Sequence, residues 1–166
     1  DLSELTAPIW QLTVVGDLDM DPSYVDRIMT AADVRGLAKR VHFSGARNGA
    51  ALAKILNTSH VLILPYSHEA FGIAFVEGMA FGLPAVGSTA GAARETIRHG
   101  HNGFLIHPAD RHALTDSIRL LAQNRDRLER MSLNAYATFR QKPNWAAGTA
   151  AVEAFLGRLI RIGPGP

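Results

Sequence analysis

The sequence predicts an α/β domain in which helices cover both faces of a parallel sheet. Short apolar runs alternate with stretches of helical periodicity, and their connections are short, which favours right-handed crossovers. The clearest strand lies between His60 and Pro65, where an unbroken apolar run indicates burial on both faces, as in parallel sheets. Apolar residues at helical spacing follow it, so we expect a helix that begins near Gly72.

The other strands and helices have local signals of their own. The remaining strands are short runs rich in apolar residues, at 11–15, 41–44, 84–86 and 103–106. Asp21-Pro22 is a good N-cap and first-turn pair for a helix that continues to about Arg35. Asn48 is expected to cap a helix through Leu56, and residues 91–97 to form a short helix or turn.

The last third of the chain predicts three further helices. Asp110 can cap the first of them, and a break at Pro143 precedes the last. Each carries an apolar stripe that we expect to lie in the core: Leu114, Ile118 and Leu121; Leu128, Met131, Ala135 and Phe139; Trp145, Val152, Phe155 and Leu159. We therefore predict one domain over 1–162 and a tail over 163–166, where glycine and proline alternate.

Composition excludes several classes of protein. The chain has 166 residues, is 47% hydrophobic and has a formal net charge of +2. Its arginines are scattered as on solvated helix faces, so nucleic acid is not an expected partner. No apolar run reaches the length of a membrane span, and cysteine is absent. We expect a cytoplasmic domain without membrane contact.

Two carboxylates flank the glycine at the start of the central helix. Free N–H groups and the positive end of the helix dipole favour an anion there. Glu69 and Glu77 repel phosphate but accept hydrogen bonds from sugar hydroxyls, which predicts a nucleotide sugar as ligand. Glu77 would hold the ribose, Glu69 the transferred sugar, and the N–H groups of Phe71, Gly72 and Ile73 the diphosphate. Two glutamates alone fit solvated helix residues equally well.

The longer motif decides between these interpretations. Glu69-Ala70-Phe71-Gly72 is followed by Glu77-Gly78-Met79-Ala80, Gly82-Leu83-Pro84, Gly91-Ala92 and Glu95, and then by Gly100-His101-Asn102-Gly103. In this order the string resembles the retaining glycosyltransferases of family 4, and a weaker resemblance covers nearly the whole chain. It implies a Rossmann-like three-layer α/β/α sandwich with a parallel sheet and extra C-terminal helices, which is one half of the GT-B fold.

The resemblance also implies a role for each matching residue. Glu69 would be the catalytic-site carboxylate near the reacting carbon, and Glu77 would bind the ribose. Main-chain groups of Phe71, Gly72 and Ile73 would meet the sugar and diphosphate. The loop Gly45-Ala46-Arg47 matches the place where the family holds the base, and Gly16 would keep backbone close to the ligand. The family needs no metal or other cofactor to bind its donor.

Departures from the family pattern bear on the donor and on the domain organisation. Ala92 stands where a second glycine is usual, which predicts one extra methyl group near the sugar. Gly78 replaces the usual alanine, at a cost of about 1 kcal/mol in helix propensity. The length suits one of the two GT-B domains, and the chain resembles the C-terminal, donor-binding one, so the N-terminal acceptor-binding domain is an expected partner. We expect this chain alone to transfer sugar weakly or not at all.

Two alternatives remain open from the sequence. The chain could be a non-catalytic nucleotide-sugar-binding or regulatory module, or a different α/β enzyme of flavodoxin-like or epimerase type. A metal site is not expected, because His99 and His101 form an exposed pair without a third ligand at suitable spacing.

Overall fold

The structure is a computed structural model that describes residues 10–65, 72–143 and 145–162. Strands and helices alternate through its first two thirds, and helices follow to the end. The strands are β1 (Leu12–Val14), β2 (Val41–Phe43), β3 (Leu62–Leu64), β4 (Ala85–Ser88) and β5 (Gly103–Ile106). The helices are α1 (Pro22–Val34), α2 (Gly49–Thr58), α3 (Ile73–Ala80), α4 (Ala93–Thr96), α5 (Arg111–Gln123), α6 (Arg125–Gln141) and α7 (Trp145–Ile162).

All strand pairs are parallel, which confirms the predicted fold class, but the hydrogen-bonded ladder is in two pieces. β1 pairs with β2, and β3, β4 and β5 form a separate sheet in that order. β3 is therefore an edge strand of its sheet, and its residues are half-buried. Its residues nevertheless pack on both faces, Leu62 and Leu64 against one core cluster and Ile63 against the other, although none of the three is fully buried.

The predicted helix starts are found, with their caps. Asp21 and Asp110 accept backbone N–H bonds from Tyr24 and Ala113, each at 2.9 Å. The bond from Tyr24 holds the pKa of the Asp21 carboxyl below its usual value. Asn48 is the N-cap residue of α2, although its side chain makes no capping bond.

The core lies on both faces of the three-stranded sheet. Alternate residues of β4 point to opposite sides, so Ala85 faces α3 and α4 whereas Val86 faces α5. α6 contributes to both sides through different turns: Ala135 packs on the α3 side and Met131 on the α5 side. The predicted stripe of α6 and two members of the α5 stripe, Leu114 and Leu121, thus pack in the core, whereas Ile118 is half-buried outside both clusters. The three layers of the predicted sandwich are present around this sheet.

Residues towards the two ends of the described chain are less buried than those around the three-stranded sheet. No residue in the described stretch 10–65 is fully buried, so α1 and α2 contribute none of the buried core. The predicted core stripe of α7 was wrong, since Val152, Phe155 and Leu159 are 58%, 53% and 50% exposed. This helix follows the break at Pro143 and lies outside both core clusters. Within the described residues, every helix is too short or too polar to cross a membrane.

Two glycines let helices approach the sheet closely. A Cβ built on Gly78 of α3 would lie 2.7 Å from Cδ2 of Leu62 in β3. A Cβ on Gly87 of β4 would lie 3.0 Å from Phe75 and 3.1 Å from Ala93. The glycine at position 78, which the helix propensity disfavours, is therefore explained by the short distance between α3 and β3.

Asn102 joins three segments of the chain through one buried amide. Its Oδ1 accepts the N–H of Arg98 at 2.7 Å. Its Nδ2 donates to the carbonyl of Thr96 and to Oγ1 of Thr138 in α6, both at 3.0 Å. The side chain thereby fixes the β4–β5 connection against α6.

We expect Asn102→Ala to lower the free energy of unfolding by about 2–3 kcal/mol, because it leaves several buried polar groups without partners. Chemical denaturation of the 166-residue chain measures this. His101→Ala, on the exposed neighbour, is the matched control and should change stability by less than about 0.5 kcal/mol. Equal stability of the two variants would contradict the role assigned to the amide.

Candidate functional site

α3 begins directly after Gly72, where the sequence predicted the start of a helix. Gly72 is the N-cap residue and has φ +63°, a conformation that favours glycine. Its carbonyl accepts the N–H of Phe75 at 3.0 Å. A Cβ at this position would also come within 3.2 Å of the Phe75 ring. Glycine thus allows the chain to turn sharply from the preceding loop into the helix.

The faces of α3 separate its core residues from its accessible ones. Phe75 and Met79, four residues apart, are buried between the sheet and α6. Ile73 and Glu77 share the opposite face; Ile73 is 65% exposed and Glu77 is also exposed. Both lie about one turn or less from the helix start, and neither serves the core. An exposed carboxylate and an exposed apolar side chain therefore stand together beside the N-terminus.

The electrostatics of this end suit a ligand with one anionic and one hydroxylated part. The N–H groups of the first helical residues, Ile73 and Ala74, have no acceptor within the helix, and the helix dipole is positive here. The Cα of Glu77 lies about 7 Å along the axis from the cap. Because helical side chains lean towards the N-terminus, its carboxylate reaches back over the first turn.

A second group of predicted residues meets at the carboxyl ends of β1 and β2. The N–H of Gly16 donates to the carbonyl of Gly45 at 3.2 Å. Ser44 joins the same two strands, since its N–H and its hydroxyl both donate to the carbonyl of Val14, at 2.9 and 3.1 Å. The structure thus places Gly16 beside the predicted base-binding loop, because the carboxyl ends of neighbouring parallel strands lie at the same edge of a sheet.

The remaining predicted residues are exposed or lie outside the described part of the chain. Ala46 and Arg47 are exposed in the loop after β2, and the Arg47 guanidinium donates to the carbonyl of Ala46 at 3.3 Å. Glu69 and Phe71 lie outside the described residues, so their predicted roles stay predictions. Arg94 and Glu95 are exposed on α4.

A further wall of the site was not predicted from sequence. The carbonyl of Ala92 lies against Gly72, 3.8 Å from the position of a Cβ built there. Ala92 itself is buried, and the expectation that its extra methyl group crowds the loop nearest the sugar stays a prediction. Ser88, at the end of β4, is also buried. The sequence signals that mark this loop are the serine at the end of an apolar strand and the Gly91-Ala92 pair of the motif.

Metal ligands are not clustered in the described part of the chain: no three His, Asp or Glu side chains there are arranged to hold an ion. His99 and His101 are exposed, as predicted. The His99 ring accepts the N–H of Leu105 at 3.2 Å and packs edge-on against Phe104. That contact gives His99 a structural role beside β5.

The parallel sheet, its covering helices and the glycine-capped start of α3 define a Rossmann-like α/β domain. Residues 1–138 match the family model described as glycosyl transferases group 1, and the chain belongs to this family. This confirms the resemblance seen in the motif.

Relatives with curated names are much longer than this chain. The D-inositol 3-phosphate glycosyltransferase of Streptomyces coelicolor is 33% identical over 132 residues, which is 75% of this chain and 29% of that protein. The D-rhamnosyltransferase WbpZ of Pseudomonas aeruginosa is 33% identical over 107 residues, or 62% of this chain and 28% of WbpZ. The chain spans between about a quarter and a third of the relatives it matches.

Solved structures confirm the fold. HepE of Anabaena, in complex with UDP, superposes with a TM-score of 0.83 at 27% identity over 92% of this chain and 42% of HepE. The complex of HepE with UDP-glucose gives 0.82 at the same identity and coverage. The C-terminal domain of the group 1 glycosyl transferase LpcC from Francisella tularensis, at 22% identity, shares the fold with a TM-score of 0.75. It covers 82% of this chain and 71% of the LpcC chain.

Proposed function

We propose that this chain is the donor-binding domain of a GT-B glycosyltransferase and binds a nucleotide-diphosphate sugar at the start of α3. The observation that carries this proposal is that the exposed carboxylate of Glu77 lies on the same helix as a glycine-capped N-terminus. The first N–H groups favour the diphosphate, and the carboxylate favours two hydroxyls of a ribose. Membership of the glycosyl transferase family and the likeness to HepE, solved with UDP and UDP-glucose, support the same ligand class.

The other predicted residues complete the site. Gly16 and the loop Gly45-Ala46-Arg47 hold the base, because parallel strands carry ligands beyond their carboxyl ends. The main chain of Phe71, Gly72 and Ile73 meets the diphosphate and the sugar. Glu69 contacts the transferred sugar.

The same geometry gives a role in the chemical step. When the bond between the sugar and the diphosphate breaks, the leaving diphosphate gains negative charge and the anomeric carbon gains positive charge. The N–H groups and dipole at the start of α3 stabilise the first, and the carboxylate of Glu69 stabilises the second. The acceptor attacks from a second, N-terminal domain, and the configuration at the anomeric carbon is retained. We expect no metal ion to take part.

Isothermal titration of the chain with UDP, GDP, ADP and their glucose derivatives tests the donor site. We expect one nucleotide diphosphate to bind with a stoichiometry of about one, and its sugar derivative to compete for the same site. Amide chemical shifts of Ile73, Ala74 and Glu77 should change on binding. The proposal fails if none of these nucleotides binds at millimolar concentration. A full-length protein that binds the nucleotide sugar but transfers nothing to any acceptor would instead be a regulatory module.

A further inference from the structure

The loop after β4 is held in shape by two short hydrogen bonds. We call residues 89–92 the β4–α4 loop. Oγ of Ser88, which is 1% exposed, accepts the N–H of Ala90 at 2.9 Å. The N–H of Thr89 donates to the carbonyl of Ile106 in β5 at 2.7 Å. The chain then turns at Gly91, where φ is +81°. The buried hydroxyl thus sets the conformation of a loop whose outer residues are accessible.

The β4–α4 loop and the start of α3 form one packed unit. The carbonyl of Ala92 lies against Gly72, as described above. Beneath them, Phe75 of α3 and Ala93 of α4 converge on Gly87, where a Cβ would lie 3.0 and 3.1 Å from them. A change in the loop therefore displaces a wall that adjoins the helix start directly, without an intervening side chain.

The position of Glu77 indicates which part of the donor meets this wall. Glu77 lies about one and a half turns further along α3 than Gly72, so the ribose and its base lie on that side of the diphosphate. The sugar is attached to the opposite end of the diphosphate from the ribose. It therefore lies near Gly72. The β4–α4 loop adjoins this end of α3, since the carbonyl oxygen of Ala92 lies 3.8 Å from the position that a Cβ on Gly72 would take.

We propose that Ser88 is a positioning residue for the sugar portion of the donor, acting through the β4–α4 loop, an inference that rests on the proposed function. Without its hydroxyl, the N–H of Ala90 loses its acceptor and the loop is no longer held to one conformation. The nucleotide portion, which Glu77 holds, is not affected. Ser88 therefore sets the preference for a nucleotide sugar over the bare nucleotide diphosphate.

Three variants test this proposal. Ser88→Ala removes the hydroxyl, whereas Ser88→Cys keeps a similar volume with a much weaker acceptor, which separates the hydrogen bond from packing. Ser117→Ala is the matched control, because Ser117 is also buried and its hydroxyl bonds the carbonyl of Ala113 at 2.7 Å in α5. The dissociation constants of the best-bound nucleotide diphosphate and of its glucose derivative are measured for each, with hydrogen exchange at the Ala90 amide.

Both Ser88 variants should bind the glucose derivative about five-fold more weakly and the bare nucleotide less than about two-fold more weakly. Exchange at the Ala90 amide should accelerate, and Ser117→Ala should change neither quantity. Wild-type affinity for the sugar derivative in Ser88→Cys, or an equal loss for both ligands, would overturn the role of Ser88 while leaving the donor site intact. If the wild-type chain binds no nucleotide, the proposed function fails, and this inference fails with it.

Discussion

Glu77→Ala is expected to weaken binding of both the nucleotide diphosphate and the nucleotide sugar by about 100-fold. A carboxylate that accepts two ribose hydroxyls makes two charge-assisted hydrogen bonds, each worth about 1.5 kcal/mol or more. Within the described residues Glu77 has no hydrogen-bond or ion-pair partner, and it is exposed, so the fold should not depend on it. Titration calorimetry gives the affinities, and thermal unfolding without ligand checks the fold.

Two further variants sharpen the test of Glu77. Glu77→Gln keeps an acceptor oxygen but loses the charge, so we expect an intermediate loss of about 10-fold. Glu129→Ala removes an exposed carboxylate from α6 and serves as the matched control, with unchanged affinity expected. If Glu77→Ala binds as tightly as the wild-type chain, then Glu77 is a solvated helix residue and the ribose lies elsewhere.

Local signals in the sequence were sufficient to predict the strands and helices and the start of α3. Asp21, Gly72 and Asp110 mark helix starts because the requirements for capping involve residues within one turn. These starts needed no information on distant contacts. The proximity of Gly16 and Gly45, by contrast, depends on the pairing of β1 with β2, which no local signal in the sequence indicates.

Features that depend on distant contacts could not be predicted in the same way. Asn102 reaches Thr138, which is 36 residues away, and nothing around either residue in the sequence indicates the other. The glycine at position 78 contradicts helix propensity and is explained only by the closeness of Leu62. The apolar stripe of α7 was recognised, but periodicity shows that a face is apolar without showing what covers it.

The candidate site also combines features that local sequence predicts with features that depend on distant contacts. The motif named the residues at the start of α3, but the contact between Ala92 and Gly72 joins two segments that the sequence leaves twenty residues apart. Whether a methyl group at position 92 faces the ligand or the core depends on how α4 packs on β4. The structure buries this residue, and the hydroxyl of Ser88 holds the loop that precedes it.

Gly103→Ala should be the most destabilising single methyl addition considered for this chain. Gly103 stands opposite Ala85 in the β4–β5 ladder, and β4 is the central strand of its sheet. A Cβ on Gly103 would overlap the backbone carbonyl oxygen of Ala85 and would lie 3.0 Å from Cγ2 of Ile97. Because the obstacle is backbone in a central strand, a rotamer change cannot relieve it, whereas at Gly78 the obstacle is the end of a leucine side chain.

We expect Gly103→Ala to lower the free energy of unfolding by at least about 4 kcal/mol and the Tm by about 10 °C or more. Gly148→Ala is the matched control, since a Cβ there meets nothing within 4 Å and alanine favours a helix by about 1 kcal/mol. Chemical and thermal denaturation of the two variants measure the difference. A loss below about 1 kcal/mol in Gly103→Ala would show that β5 can shift along β4. The register of the sheet would then not fix the hydrogen bond between Thr89 and Ile106 that anchors the β4–α4 loop.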